Sequence, residues 1–320
     1  AGHGAGLASQ RLAKAIEARA VGTPEKLEEA RRFEEAARES QKRSEYNLKA
    51  IEARAQRKAD DATSWENAGH GAGLASQRLA KAIEARAVGT PEKLEEARRF
   101  EEAARESQKR SEYFLKAIEA RAQRKAKDAT SWENAGDGAA FASGCLVQAI
   151  EARAVGTPEK LEEATGYEEV ARESQKVSEY TLNAIQARAQ GKAEDATSWE
   201  NAGHGAAFAS GWLAKAIVAR AIGTPEKLEE ATGYEEAARE SQKRSEYFLK
   251  AIEARAQGKA EDATSWGNAA AAASWASDRL AKAIEARAVG TPEKLEEATR
   301  WEEAARESQK QSEYCWKEKF

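Results

Sequence analysis

Apolar side chains recur along this chain at helical spacing and not in the alternation of a strand. Leu12 and Ile16 are four residues apart, Leu48 and Ile51 three, and Glu, Lys, Arg and Ala fill the positions between. Such spacing stacks side chains on one helix face. The pattern then repeats. Gly-Thr-Pro-Glu begins at Gly22, Gly89, Gly156, Gly223 and Gly290, always 67 residues apart. A fixed period of this size marks a repeat architecture. The units are 1–67, 68–134, 135–201, 202–268 and a shorter 269–320, and the first two differ only at Asn47/Phe114 and Asp60/Lys127.

Each unit reads as two helices. The first, helix A, is expected from about Ser64 of one unit to Ala87 of the next, with Thr63-Ser64-Trp65-Glu66 supplying its cap. Gly22 and its copies stop it by offering a left-handed C′ residue. Thr23 then caps helix B, Pro24 takes its first position and Glu25 favours the positive end of its dipole. Helix B runs to about Lys58, with Asp60 to Thr63 as the following turn. At 1.5 Å per residue, A would be roughly 36 Å long and B roughly 50 Å. Leu12, Ile16, Leu27, Tyr46, Leu48, Ile51 and their copies are expected to form the helix–helix core, with Trp65, Trp132, Trp199 and Trp266 as packing anchors. The fold class is all-α, one helical-repeat domain over 1–320. Five tandem helix hairpins would form a closed ring (toroid) or a strongly curved solenoid.

Composition narrows the function classes. The 51 basic and 55 acidic residues are interspersed, so no basic stripe points to nucleic acid. No apolar run approaches the ~18 residues of a membrane span, and the start does not read as a signal peptide. A soluble monomer without a targeting signal, suited to recombinant cytoplasmic expression, is expected. Cys145 and Cys315 are not a disulfide framework, and methionine is absent.

The near-identical units, the Glu/Lys/Arg/Ala surfaces, the Gly-Thr-Pro-Glu junctions and the missing methionine resemble de novo designed helical tandem-repeat proteins over the whole chain. The resemblance implies either an inert scaffold or the host of a grafted site.

The information lies where the units disagree. On helix A the differences fall at unit positions 3, 7, 10, 11, 14 and 17, an arc of about 120°; on helix B the main ones fall at 32, 33, 36, 43 and 47. In a hairpin turning at position 22, position 11 faces 33, 7 faces 36 and 3 faces about 43, so the two stripes share a surface. Arg11 and Arg78 give way to Cys145 and Trp212; Leu7 and Leu74 to Phe141, Phe208 and Trp275. Arg32 and Arg99 become Gly166 and Gly233, beside Tyr167, Tyr234 and Trp301 at the next position. Val147, Val170, Val177 and Val218 enter, as do Gly144 and Gly211. Glycine inside a helix costs about 1 kcal/mol relative to alanine, so these glycines imply that room is wanted. The reading is an apolar, aromatic-lined pocket for a hydrophobic small molecule or cofactor. Its expected lining is Phe141, Cys145, Tyr167, Val170, Val177 and Thr181, with Phe208, Trp212, Tyr234, Phe248, Trp275 and Trp301.

Position 3 is the only histidine site: His3, His70, Asp137, His204 and Ala271. His204 is the candidate metal ligand and Asp137 the carboxylate that would orient it, so haem or a synthetic metal cofactor could bind through His204. Any catalysis would then be that of an artificial cofactor-dependent enzyme. A His–Asp pair is also half of a hydrolytic triad, yet no suitably placed nucleophile accompanies it. CxxC and HExxH patterns are absent. Cys145 and Cys315 are most simply apolar fillers. The competing class is a structural scaffold without ligand, its differences adjusting packing only.

Overall fold

The computed structural model describes residues 2–317; side chains are described from Gly4 to Cys315, so that of His3 falls outside. Ten helices follow in order: α1 Gly2–Val21, α2 Pro24–Ala55, α3 Ala59–Val88, α4 Pro91–Ala122, α5 Ala126–Val155, α6 Pro158–Ala189, α7 Ala193–Ile222, α8 Pro225–Ala256, α9 Ala260–Val289 and α10 Pro292–Lys317. There are no strands among the described residues.

The junctions form as their residues require. Thr23 Oγ1 accepts from the Lys26 amide at 3.4 Å, and Thr90, Thr157, Thr224 and Thr291 repeat the cap. Gly22 and its copies take φ of 75–79°, where a Cβ would be strained. The opposite junction differs from expectation. Helix A begins at Ala59 and not near Ser64, and its N-cap Lys58 makes no side-chain cap. The chain turns over Gln56 to Lys58, with Arg57 and Arg124 at φ 60° and 59° and Gly191 and Gly258 at φ 74° in the same place. Thr63 is already inside the helix, its hydroxyl donating back to the Ala59 carbonyl at 3.1 Å. Helix A therefore has 30 residues, nearly as many as the 32 of helix B.

The helices gather into two compact units, one up to Lys160 and one from Leu161 onward. In the first, α1, α3 and α5 form one layer and α2 and α4 the other. Ser64 on α3 donates to Glu133 on α5 at 3.1 Å, and Gln108 on α4 reaches Glu35 and Glu39 on α2. The second follows the same plan: Gln242 on α8 donates to Glu173 on α6 at 3.1 Å, and Gln309 on α10 to Glu236 on α8 at 3.0 Å.

Alanine dominates the core. Ala30, Ala36, Ala68 and Ala72 are fully buried, which lets helix backbones approach closely. Larger side chains lock successive repeats together: Leu79 packs against Ala36, Ile83 against Phe33 and Ile150 against Phe100. The expected tryptophan anchors hold, with Trp65, Trp132, Trp199 and Trp266 lying 5.6–5.7 Å from Tyr46, Tyr113, Tyr180 and Tyr247. Two core expectations fail. Leu27 and its copies are 37–45% exposed, because the first turn of helix B stands clear of the neighbouring repeat. Leu12, Ile16, Leu48 and Ile51 are exposed although their interior copies are at least half-buried, because none of the described helices packs on the outer side of α1 and α2.

Candidate functional site

The levels read from the hairpin are visible in the second compact unit. Trp212 on α7 (position 11) stacks on Tyr234 on α8 (position 33), centroids 5.7 Å apart and planes 10° from parallel. Lys215 Nζ lies 4.4 Å from the Trp212 centroid. His204 at position 3 feels the charge of Arg244 at position 43. His204 is exposed, yet partial desolvation, then that charge, holds its imidazole below the usual histidine range, with Glu200 pulling the other way. His204 is therefore neutral near pH 7, the form that ligates metals.

One helix turn from His204, Phe208 is 53% exposed, and Trp275 on α9 is 55% exposed at the matching position. Gly211 lies one turn further along this face of α7, and a Cβ placed there would meet nothing within 4 Å. Arg244 frames the same region: it donates to Ser274 at 3.1 Å and Asn201 at 3.2 Å and lies 6.0 Å from the Phe248 ring. Phe248 and Val177 are half-buried against Tyr180, Ala202 and Ala206.

Other expected lining residues are packed away. Val170 is completely buried, and Thr181 is buried with its hydroxyl donating to the Val177 carbonyl at 2.7 Å. Tyr234 is buried against Ile284, just as Phe33 is against Ile83. Position 33 is thus a seam between successive repeats, where Tyr167 and Trp301 are half-buried. Trp301 lies 4.9 Å beneath Lys282 Nζ. The glycines also divide. A Cβ at Gly166 would sit 3.1 Å from Ile217, and one at Gly233 3.0 Å from Ile284, so these two accommodate a packed isoleucine and leave no open room. Gly144 and Gly211 do face open space.

In the first compact unit, Phe141 is 44% exposed on α5 one turn from Asp137, and Gly144 follows. Partial burial pushes the Asp137 carboxyl up against the pull of Arg110. Cys145 is buried and its thiol is pushed up to about 12, which suits an inert apolar filler. Cys315 packs against the Tyr247 cluster. Asp137 lies in the first unit and His204 in the second, so each is characterised by its own neighbours.

The sequence reading missed what the position-11 arginines do. Arg11 and Arg78 are buried; Arg11 Nη1 donates to Ser40 and Ser76, and Arg78 Nη1 to Ser107 and Ser143. Desolvation, with help from Arg110, lowers Arg78 to about 10. The available signal was serine at positions 9 and 40 of every unit. Where Trp212 replaces the arginine, Ser241 and Ser277 bond to each other at 2.8 Å, and Ser277 donates to the Ala237 carbonyl at 2.9 Å.

Also missed was a polar cleft of about 510 Å³ between α2 and α4, bordered by Glu39, Lys42, Tyr46, Gln108 and Ser111 and by none of the expected site residues. No group of three or more His, Cys, Asp or Glu side chains among the described residues is placed to hold a metal ion. No helix among them is long and apolar enough to cross a membrane. No protein-family model matches the chain, and no curated protein matches it.

Proposed function

We propose that the chain is a helical-repeat scaffold, of the de novo designed kind its sequence resembles, that binds a hydrophobic, partly planar small molecule along its altered stripe. In this reading the five hairpins make up a ring or strongly curved solenoid, and the stripe is its ligand-facing surface. The observation that carries the proposal is the exposure of Phe208 and Trp275 at one unit position, beside the open space at Gly211. Contiguous exposed apolar surface marks a site of association; in this reading Phe208 and Trp275 contribute to one such surface, and a helix glycine with nothing opposite it gives a flat ligand access to backbone. Titration with an uncharged naphthalene dye, read by tryptophan quenching, tests this. Saturable binding that weakens about tenfold in both F208A and W275A supports the proposal, tenfold being about 1.4 kcal/mol. Absence of binding leaves the scaffold without ligand as the better reading.

A second reading is favoured by the neutral imidazole of His204: haem or a related metallo-macrocycle held through that single axial nitrogen. Only one protein ligand is needed, so the lack of a multidentate cluster among the described residues does not bear on it. A Soret shift on adding haem that is lost in His204→Ala supports this version, and an unchanged spectrum ends it.

A further inference from the structure

The two ends of the repeat array carry the two halves of its interior seam. Inside the array, positions 12 and 16 of one repeat lie against positions 36 and 33 of the repeat before it: Leu79 on Ala36 and Ile83 on Phe33, then Leu280 on Ala237 and Ile284 on Tyr234. At the first repeat the same leucine and isoleucine face solvent. Leu12 is 38% and Ile16 69% exposed, whereas Ile83, Ile150, Ile217 and Ile284 are 4–9% exposed. At the last repeat the complementary half is open. Ala304 is half-exposed where Ala36, Ala103 and Ala237 are fully buried, and Glu307 is exposed where Glu39, Glu106, Glu173 and Glu240 are buried. A repeat face that stays in water is ordinarily polar, whereas the outer faces of the first and last described helix pairs carry the residues of the interior seam.

We propose that the α1/α2 face of one molecule docks on the α9/α10 face of a second copy, continuing the interior seam from chain to chain. The occupant follows from the repeat itself: Leu12 seats on Ala304 and Ile16 on Trp301 of the second copy. The polar part of the seam continues as well. Gln108 donates to Glu35 and Glu39, and Gln309 to Glu236 and Glu240. Gln41 therefore meets Glu303 and Glu307 of the second copy. This docking rests on the solenoid form of the scaffold, in which both end faces stay free for a second copy, and not on the ring, in which they would meet within one chain. The contact is heterologous, so it propagates from copy to copy unless one face is spoiled.

Sedimentation velocity over a hundredfold range of concentration tests the proposal. Mass rising above the 34.8 kDa of one chain as concentration increases is expected. I16E and A304E each place a carboxylate on one exposed end face without entering the core, and each alone should remain at one chain mass. Mixed, they should pair through their unspoiled faces and stop at twice that mass. A single chain mass for the unaltered protein at every concentration overturns the proposal, as does a mixture of the two variants that never pairs.

Discussion

Trp212 and Tyr234 stack 5.7 Å apart at the level where the first repeats place a buried arginine. Exchanging the tryptophan back tests whether that level is interchangeable. Trp212→Arg should find Ser241 and Ser277, as Arg78 finds Ser107 and Ser143, and keep stability within about 1 kcal/mol in urea unfolding. Trp212→Ala should cost about 2–3 kcal/mol, below the range for a fully buried tryptophan because the ring is only half-buried.

Arg78 is a buried cation whose acceptors are neutral hydroxyls. Its value of about 10 lies below the ordinary 12.5, so the unfolded chain holds this proton more tightly and the charge opposes folding below pH 10. Raising pH from 10 to 12.5 would remove that penalty, but other groups ionise there. Substitution is the cleaner test. Arg78→Met should leave Ser107 and Ser143 bonded to each other and raise the urea midpoint by the equivalent of about 1–2 kcal/mol.

His70 and His204 are exposed at the surface but both held below the usual histidine range, each first by partial desolvation and then by neighbouring arginine charge. A lowered histidine stabilises the fold fully above its unfolded value of about 6.5 and loses that contribution as pH falls toward the lower folded value. Thermal stability should therefore decline as pH falls below about 6.5. In Arg244→Gln the NMR titration midpoint of His204 should move up while that of His70 stays put.

Arg57 and Arg124 sit at positive φ where the third and fourth repeats have Gly191 and Gly258. A non-glycine residue pays about 1 kcal/mol for that conformation. Arg57→Gly and Arg124→Gly should each stabilise the protein by up to about 1 kcal/mol, less whatever the freer unfolded chain takes back. Gly191→Arg should do the reverse. Melting curves of the three variants settle the sign.

Cys145 and Cys315 should separate cleanly in thiol labelling. With its thiol near 12 and its side chain buried, Cys145 should stay unmodified by a disulfide reagent at pH 8 until denaturant is added. Cys315 is half-buried and should react first. Equal rates in the folded protein would show that Cys145 is accessible.

Much of the fold was legible because its punctuation is unambiguous. Glycine, threonine and proline at one junction can only end one helix and begin the next, and the structure places them so. The other junction misled because Thr63-Ser64-Trp65-Glu66 has the form of a capping box, while the real turn falls at Arg57 and Arg124 in the first two repeats and carries a glycine signature only at Gly191 and Gly258. Leu27 was misplaced because helical spacing reports which face a residue shares, not whether a neighbour reaches that turn. Within the candidate site, the facing levels of Trp212 and Tyr234 followed from hairpin arithmetic. Whether Gly166 makes room or receives a side chain depends on Ile217, in a different repeat, and no local pattern carries that information.

The paired serines give the array a property beyond stability. Ser107 and Ser143 bond to each other, and Ser143 to the Ala103 carbonyl, while both accept from the guanidinium; Ser241 and Ser277 keep the same pair and the Ala237 carbonyl without one. The serine hydroxyls therefore keep partners whichever side chain stands above them, although the buried indole N–H of Trp212 has none. Position 11 is a socket that takes arginine, cysteine or tryptophan without orphaning a hydroxyl, so one repeat can be re-tooled while its neighbours keep their fit.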